Sequence, residues 1–188
     1  MPNDIAPDPV NIVVITGPAG IGKSTLTWEV GRQLAAAGIA HAIVETDELD
    51  RVYPRPSRAD LERLRPGTLD MSTLNLAAIC ATYRALGHRC LIMSGVMLHL
   101  DFDRRWILAA IPDARITVVR LQANGTTLTE RLIQREIGSG LDDQLERTLA
   151  QAERMAGEAD NGAIRLETDD RSPEELARLL LAELGWVR

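Results

Sequence analysis

The sequence predicts an α/β fold built on a mostly parallel sheet, and three observations carry that prediction. Apolar runs of strand length alternate with helical periodicities along the whole chain. The first run, around Val13, leads directly into Gly17-Pro18-Ala19-Gly20-Ile21-Gly22-Lys23-Ser24, a G-x-x-x-x-G-K-[ST] pattern followed by an apolar-periodic helix. No linker, internal repeat or low-complexity tract interrupts the alternation, so residues 1–188 read as one domain.

Taken in order, Val10 to Ile15 reads as a buried strand, and Lys23 to Ala37 as a helix stopped by Gly38. Ile39 to Glu45 is the second strand and delivers Thr46-Asp47-Glu48 at its carboxyl end. Residues 51–70 break the rhythm, because Pro54, Pro56 and Pro66 forbid one long helix, although Arg58 to Arg65 suits a short one. Met71 to Leu86 is the next helix, with Ser72 as its expected N-cap and Gly87 beyond its end. Cys90 to Val96 is a third buried strand, Asp101 to Ala110 a helix, and Arg115 to Leu121 a fourth strand. Thr127-Leu128-Thr129-Glu130 forms a capping box for a helix reaching about Ile137. Gly138-Ser139-Gly140 is a joint, Asp142 caps a helix to about Ala156, and Ala163 to Glu167 is a fifth strand. Ser172-Pro173-Glu174-Glu175 opens the last helix by the rule of an N-cap followed by proline.

Each residue type in the glycine-rich stretch has a physical task. Gly17, Gly20 and Gly22 let the backbone turn sharply and aim several N–H groups at a phosphate chain. The positive end of the following helix strengthens that field. Lys23 reaches the β- and γ-phosphates, and the Ser24 hydroxyl meets Mg²⁺. Lys23 is the only lysine in the chain. That excludes the Asn/Thr-Lys-x-Asp guanine motif of ordinary GTPases, and it excludes a protein kinase, which needs a separate strand lysine.

The composition narrows the field further. A net charge of −6 argues against a nucleic-acid binder, and no apolar run is long enough to span a membrane. With only 3% aromatic residues the core must be aliphatic. Cys80 and Cys90 lack any metal or redox spacing and read as reduced, buried thiols. No hydrophobic leader precedes the first strand, so the expectation is a cytoplasmic protein.

Ligands of parallel sheets bind at the carboxyl ends of the strands. Strand two brings Glu45 and Asp47 there, two residues apart and therefore on one side if the strand continues. A carboxylate at that place suits Mg²⁺ support or removal of a proton from an acceptor hydroxyl. Strand three ends Met93-Ser94-Gly95 with no acid, unlike a motor or transport ATPase, and Ser94 contributes at most through water. His99 and Asp101 read as a solvated loop. Arg131 and Arg135 stand i, i+4 on one helix face before the glycine joint, as a phosphate-covering lid requires, with Arg147 a weaker candidate. The arginines of 51–65 fit either an anionic acceptor or a basic surface loop.

The phosphate loop, the acid-tipped second strand, the helical insertion, the two-arginine helix and Thr168-Asp169-Asp170-Arg171-Ser172-Pro173-Glu174-Glu175 together resemble the P-loop small-molecule kinases. That group includes adenylylsulfate kinase, shikimate and gluconate kinases, and the chloramphenicol and tunicamycin resistance proteins. The resemblance implies a three-layer αβα sandwich around a five-stranded parallel sheet of order 2-3-1-4-5. It implies a helical acceptor region over about 48–87 and a lid over about 131–147. It also implies ATP and Mg²⁺ as cofactors, a small-molecule acceptor, and a monomer or homodimer.

By that resemblance Gly17, Pro18, Ala19, Gly20, Ile21, Gly22, Lys23, Ser24 and Thr25 hold the ATP phosphates. Arg131, Asp169 and Arg171 complete the nucleotide site. Ser24, Glu45 and Asp47 meet the metal, and Lys23, Asp47, Arg131 and Arg135 are the catalytic set. Asp47, Arg51, Arg55, Asn75 and Tyr83 are candidate acceptor contacts. Glu45-Thr46-Asp47-Glu48 departs from the Asp-Gly-Asp-Asn of adenylylsulfate kinases, and residues 51–75 match none of these families, so the acceptor stays unnamed. A nucleoside-monophosphate kinase and a non-catalytic ATP-binding regulatory module are the alternatives.

Overall fold

The computed structural model describes residues 9–68, 70–135, 141–159 and 161–187. In chain order its elements are β1 (Asn11–Thr16), α1 (Lys23–Ala36), β2 (His41–Glu45), a 3₁₀ turn (Thr46–Glu48), α2 (Arg58–Leu64) and α3 (Met71–Ala85). Then follow β3 (Cys90–Gly95), α4 (Leu100–Ala110), β4 (Arg115–Gln122), α5 (Gly125–Arg135), α6 (Leu141–Gly157), β5 (Ile164–Glu167) and α7 (Pro173–Leu184). The five strands pair in parallel in the order β2-β3-β1-β4-β5, as expected.

β1 lies at the centre, and its run of Ile12, Val13, Val14 and Ile15 is buried on both faces, as a covered parallel strand requires. Side-chain alternation divides the core in two. Val13, Ile15 and Ile92 pack on Leu26, Val30 and Leu34 of α1 and on Leu176, Leu180 and Leu181 of α7. Ile12, Val14 and Met93 face Leu76 and Cys80 of α3 and Ile107 of α4. Burying each such side chain contributes about 1.5–3 kcal/mol. Three layers result, and all five carboxyl ends point to one edge.

Three helix starts differ from expectation. Asp70, not Ser72, caps α3, and its carboxylate accepts from the Thr73 amide at 2.7 Å. α5 begins at Gly125, so Thr127 to Glu130 lie inside it, and the Asn124 side chain accepts from the Thr127 amide at 2.8 Å. α6 starts at Leu141, one residue before Asp142. The box at Ser172 and Glu175 stands as read, with both reciprocal bonds formed. Among the described residues no helix is long and apolar enough to cross a membrane.

Candidate functional site

The phosphate loop occupies the space between the end of β1 and the start of α1. Gly17, Gly20 and Gly22 all have positive φ, from +74° to +157°, which only glycine adopts without strain. A Cβ on Gly20 would sit 2.8 Å from Leu132 of α5, so the loop is also packed too closely for a side chain there. Lys23 curls back and donates from Nζ to the carbonyls of Gly17 at 3.0 Å and Pro18 at 2.9 Å. Ser24 and Thr25 are exposed at the first turn of α1.

Two segments converge on this loop, α5 and the stretch that follows β5. Arg131 of α5 donates to the Ile21 carbonyl at 3.2 Å, and to Thr168 Oγ1 and the Thr168 carbonyl, both at 2.9 Å. One planar guanidinium therefore joins the loop to the segment after β5. A cavity of about 370 Å³ lies between them, lined by Gly20, Gly22, Thr25, Arg131, Thr168 and Arg171. Asp169 takes a different place from the cavity wall: it accepts from the Asn124 amide and side chain, tying the 168–171 segment to the start of α5. Arg135 ends α5, and its side chain, Glu136 and the Gly138–Gly140 joint lie outside the described residues.

At the ends of β2 and β3 the chain turns sharply. β2 stops at Glu45, and Asp47 stands in the following 3₁₀ turn, so strand alternation does not put the two carboxylates on one side. That corrects the simple two-residue argument. Glu45 pairs with Ser94 in the sheet, and Ser94 pairs with Ile15 on its other side. Alternation aims Ser94 to the α1 face, because Ile92 packs there. Its hydroxyl is fully buried and has no hydrogen-bond partner among the described residues. Such an orphaned oxygen beside Glu45, on the face that carries Ser24, suits a hydrated hard cation. Among the described residues no three His, Cys, Asp or Glu are placed to hold a metal by themselves. A cation here would accordingly share its ligands with phosphate oxygens, as Mg²⁺ commonly does.

The acceptor candidates divide. Arg51 pairs with Glu48 at 3.0 Å and Arg55 with Asp50 at 3.5 Å, both exposed. Asn75 donates to the Leu49 carbonyl at 2.7 Å and so pins the segment after Asp47 to α3. Tyr83 lies near the far end of α3, half-buried against His88. Exposed Asp101 accepts from Asn161, and His99 lies 3.5 Å from Glu158. Cys80 and Cys90 are free thiols, and burial pushes both above their ordinary pKa.

Sequence reasoning missed two groups. Gln151 of α6 accepts from the Ala19 amide at 2.9 Å, across 132 residues, and nothing local in the sequence announces it. Arg120 is 1% exposed inside β4, where it pairs with Glu158 at 2.9 Å and donates to the Met155 carbonyl. Its signal was available: a charged residue in the middle of an otherwise apolar strand.

The fold defined by this sheet, loop and helix set is that of the P-loop small-molecule kinases. It is shared, over 94% of this chain and 96% of the other, by the tunicamycin resistance protein of Deinococcus radiodurans (TM-score 0.61, 19% identity). A gluconokinase from Sinorhizobium meliloti 1021 matches with TM-score 0.57 and 23% identity, over 95% of this chain and 93% of its own. The APS kinase of Mycobacterium tuberculosis, solved in complex with AMPPNP and APS, matches with TM-score 0.52 and 20% identity, over 95% and 99% of the two chains. No protein-family model and no curated protein matches the sequence.

Proposed function

We propose that the chain is an ATP- and Mg²⁺-dependent phosphotransferase that moves the γ-phosphoryl of ATP to a hydroxyl of a small molecule. The observation that carries this reading is the cavity of about 370 Å³ walled by the phosphate loop, Arg131, Thr168 and Arg171. Arg131, Arg171 and the loop glycines Gly20 and Gly22 line a space of nucleotide scale.

In this reading Lys23 exchanges the Gly17 and Pro18 carbonyls for phosphate oxygens. Arg131, with Arg135 from the same helix, stabilises charge on the transferring group, and Arg171 belongs to the nucleotide side. Asp47 orients the acceptor hydroxyl and takes its proton as the new O–P bond forms and the bond to ADP breaks. Ser24, Glu45 and Asp47 hold Mg²⁺, Ser94 supports it through water, and the ion when bound neutralises charge on the phosphates. Arg51, Arg55, Asn75 and Tyr83 belong to the acceptor side, where Asn75 acts through the Leu49 segment it holds.

The test is ADP release from ATP·Mg²⁺ across a panel of hydroxyl-bearing acceptors and nucleoside monophosphates, with Lys23→Ala as the blank. One acceptor raising the rate well above background supports the proposal. ATP binding with a flat panel favours the regulatory module, and a response only to a nucleoside monophosphate favours that class of kinase.

A further inference from the structure

A second cavity, about 450 Å³, lies between the segment before α3 and the outer face of α4. Its walls include Phe102 and Trp106, one helical turn apart on α4. Phe102 is 61% exposed, a costly way to leave one of the few aromatic side chains of this protein. Arg65 and Arg105 stand at the same cavity. Unlike Arg51, Arg55, Arg63 and Arg84, which each pair with a carboxylate, these two guanidiniums have no partner among the described residues. Asp70 also lines the space, but its oxygens already accept from the Thr73 amide and hydroxyl.

Aromatic side chains beside two uncommitted guanidiniums recognise a flat ring carrying a negative group. The ring stacks or packs on Trp106 and Phe102, and the acid takes charge-assisted bonds from the arginines. A smaller cavity, about 180 Å³, shares Asp70 with this one and includes Asp50, two residues past the turn that carries Asp47. We propose that the groove formed by Arg65, Phe102, Arg105 and Trp106 binds an aromatic acid, and that this is the distal end of the phosphoryl acceptor. The second clause rests on the phosphotransferase reading; the first does not.

Trp106 supplies the readout, since it lines the cavity and only Trp28 and Trp186 share its fluorescence window. Benzoate, 4-hydroxybenzoate and 4-hydroxyphenylacetate are titrated into the wild type, with benzyl alcohol as the neutral control and AMP as the nucleotide control. The expected result is a saturable fluorescence change with at least one aromatic acid, absent in Trp106→Phe. Affinity should fall about tenfold in Arg105→Ala or Arg65→Ala. Lys23→Ala should bind the acid as the wild type does, so a failure of the phosphotransferase reading leaves this signal intact. No saturable change with any aromatic acid overturns the proposal. So does equal binding of benzyl alcohol, loss of the acid signal in the presence of saturating AMP, or binding that survives both arginine substitutions. Because both arginines are exposed, their replacement leaves the core intact, and the Arg105→Ala protein must show unchanged thermal unfolding.

Discussion

Thr46 and Gly95 interlock: a Cβ placed on Gly95 would clash with the Thr46 hydroxyl oxygen. Glycine is required there by contact, not by backbone angle. The contact joins the end of β3 to the turn that carries Asp47. A second bond secures the same edge, since the Met97 amide donates to Thr16 Oγ1 at 2.8 Å. Gly95→Ala should therefore cost about 1–3 kcal/mol by overpacking and displace Asp47. Urea unfolding and the rate with an active acceptor measure the two effects. Adding Thr46→Ala should recover much of the stability, because the closest clashing atom is gone.

Arg131→Ala should lower both stability and turnover. Removing a guanidinium that makes three hydrogen bonds costs roughly 1.5–3 kcal/mol. Loss of an arginine at a transferring phosphoryl group costs on the order of 10³-fold in rate. Arg131→Lys should not restore either, because a point charge cannot span Ile21 and Thr168 as a planar fork does. Chemical denaturation and steady-state rates check both parts.

The pair of buried Arg120 and half-buried Glu158 should be sensitive to removal of one partner. Glu158→Ala removes the carboxylate that pairs with Arg120 inside β4 and should cost about 1–3 kcal/mol. A change below roughly 0.5 kcal/mol in the unfolding free energy would show that the pair adds little.

Burial raises the thiol pKa of Cys80 and Cys90 above the ordinary 9.0. The unfolded chain then loses its thiol protons first as pH rises. Stability from these groups is complete below about pH 9 and declines above it. Thiol-reagent labelling at neutral pH should be slow in the native protein and reach both cysteines quickly in denaturant.

The parts of the site that lie close in sequence were legible before the structure. Gly17 to Ser24 announces itself because strand, glycine spacing and Lys23 are contiguous, and Ser172 to Glu175 because a capping box is local. Two helix starts were misplaced where competing caps lie within three residues: Asp70 against Ser72, and Asn124 against Thr127. Local sequence offers both, and the path of the incoming chain selects one. The relation of Glu45 to Asp47 was misjudged because a strand's period holds only while the strand lasts, and β2 ends at Glu45. The Gln151 contact with Ala19 was illegible, since it depends on how α6 packs against a loop 132 residues earlier.

The most direct measurement is thermal unfolding of the wild type and Lys23→Ala with a non-hydrolysable ATP analogue and Mg²⁺. At about 100 times its dissociation constant the ligand should add roughly 2.7 kcal/mol to the wild type. For a chain of this length that corresponds to a shift of about 5–10 °C. Lys23→Ala should fold without ligand and show almost no shift, because Lys23 stands at the start of α1 on the phosphate loop, outside the apolar core, and its ammonium group donates to the Gly17 and Pro18 carbonyls. No shift of the wild type with any nucleotide, or an equal shift of both proteins, would contradict the account.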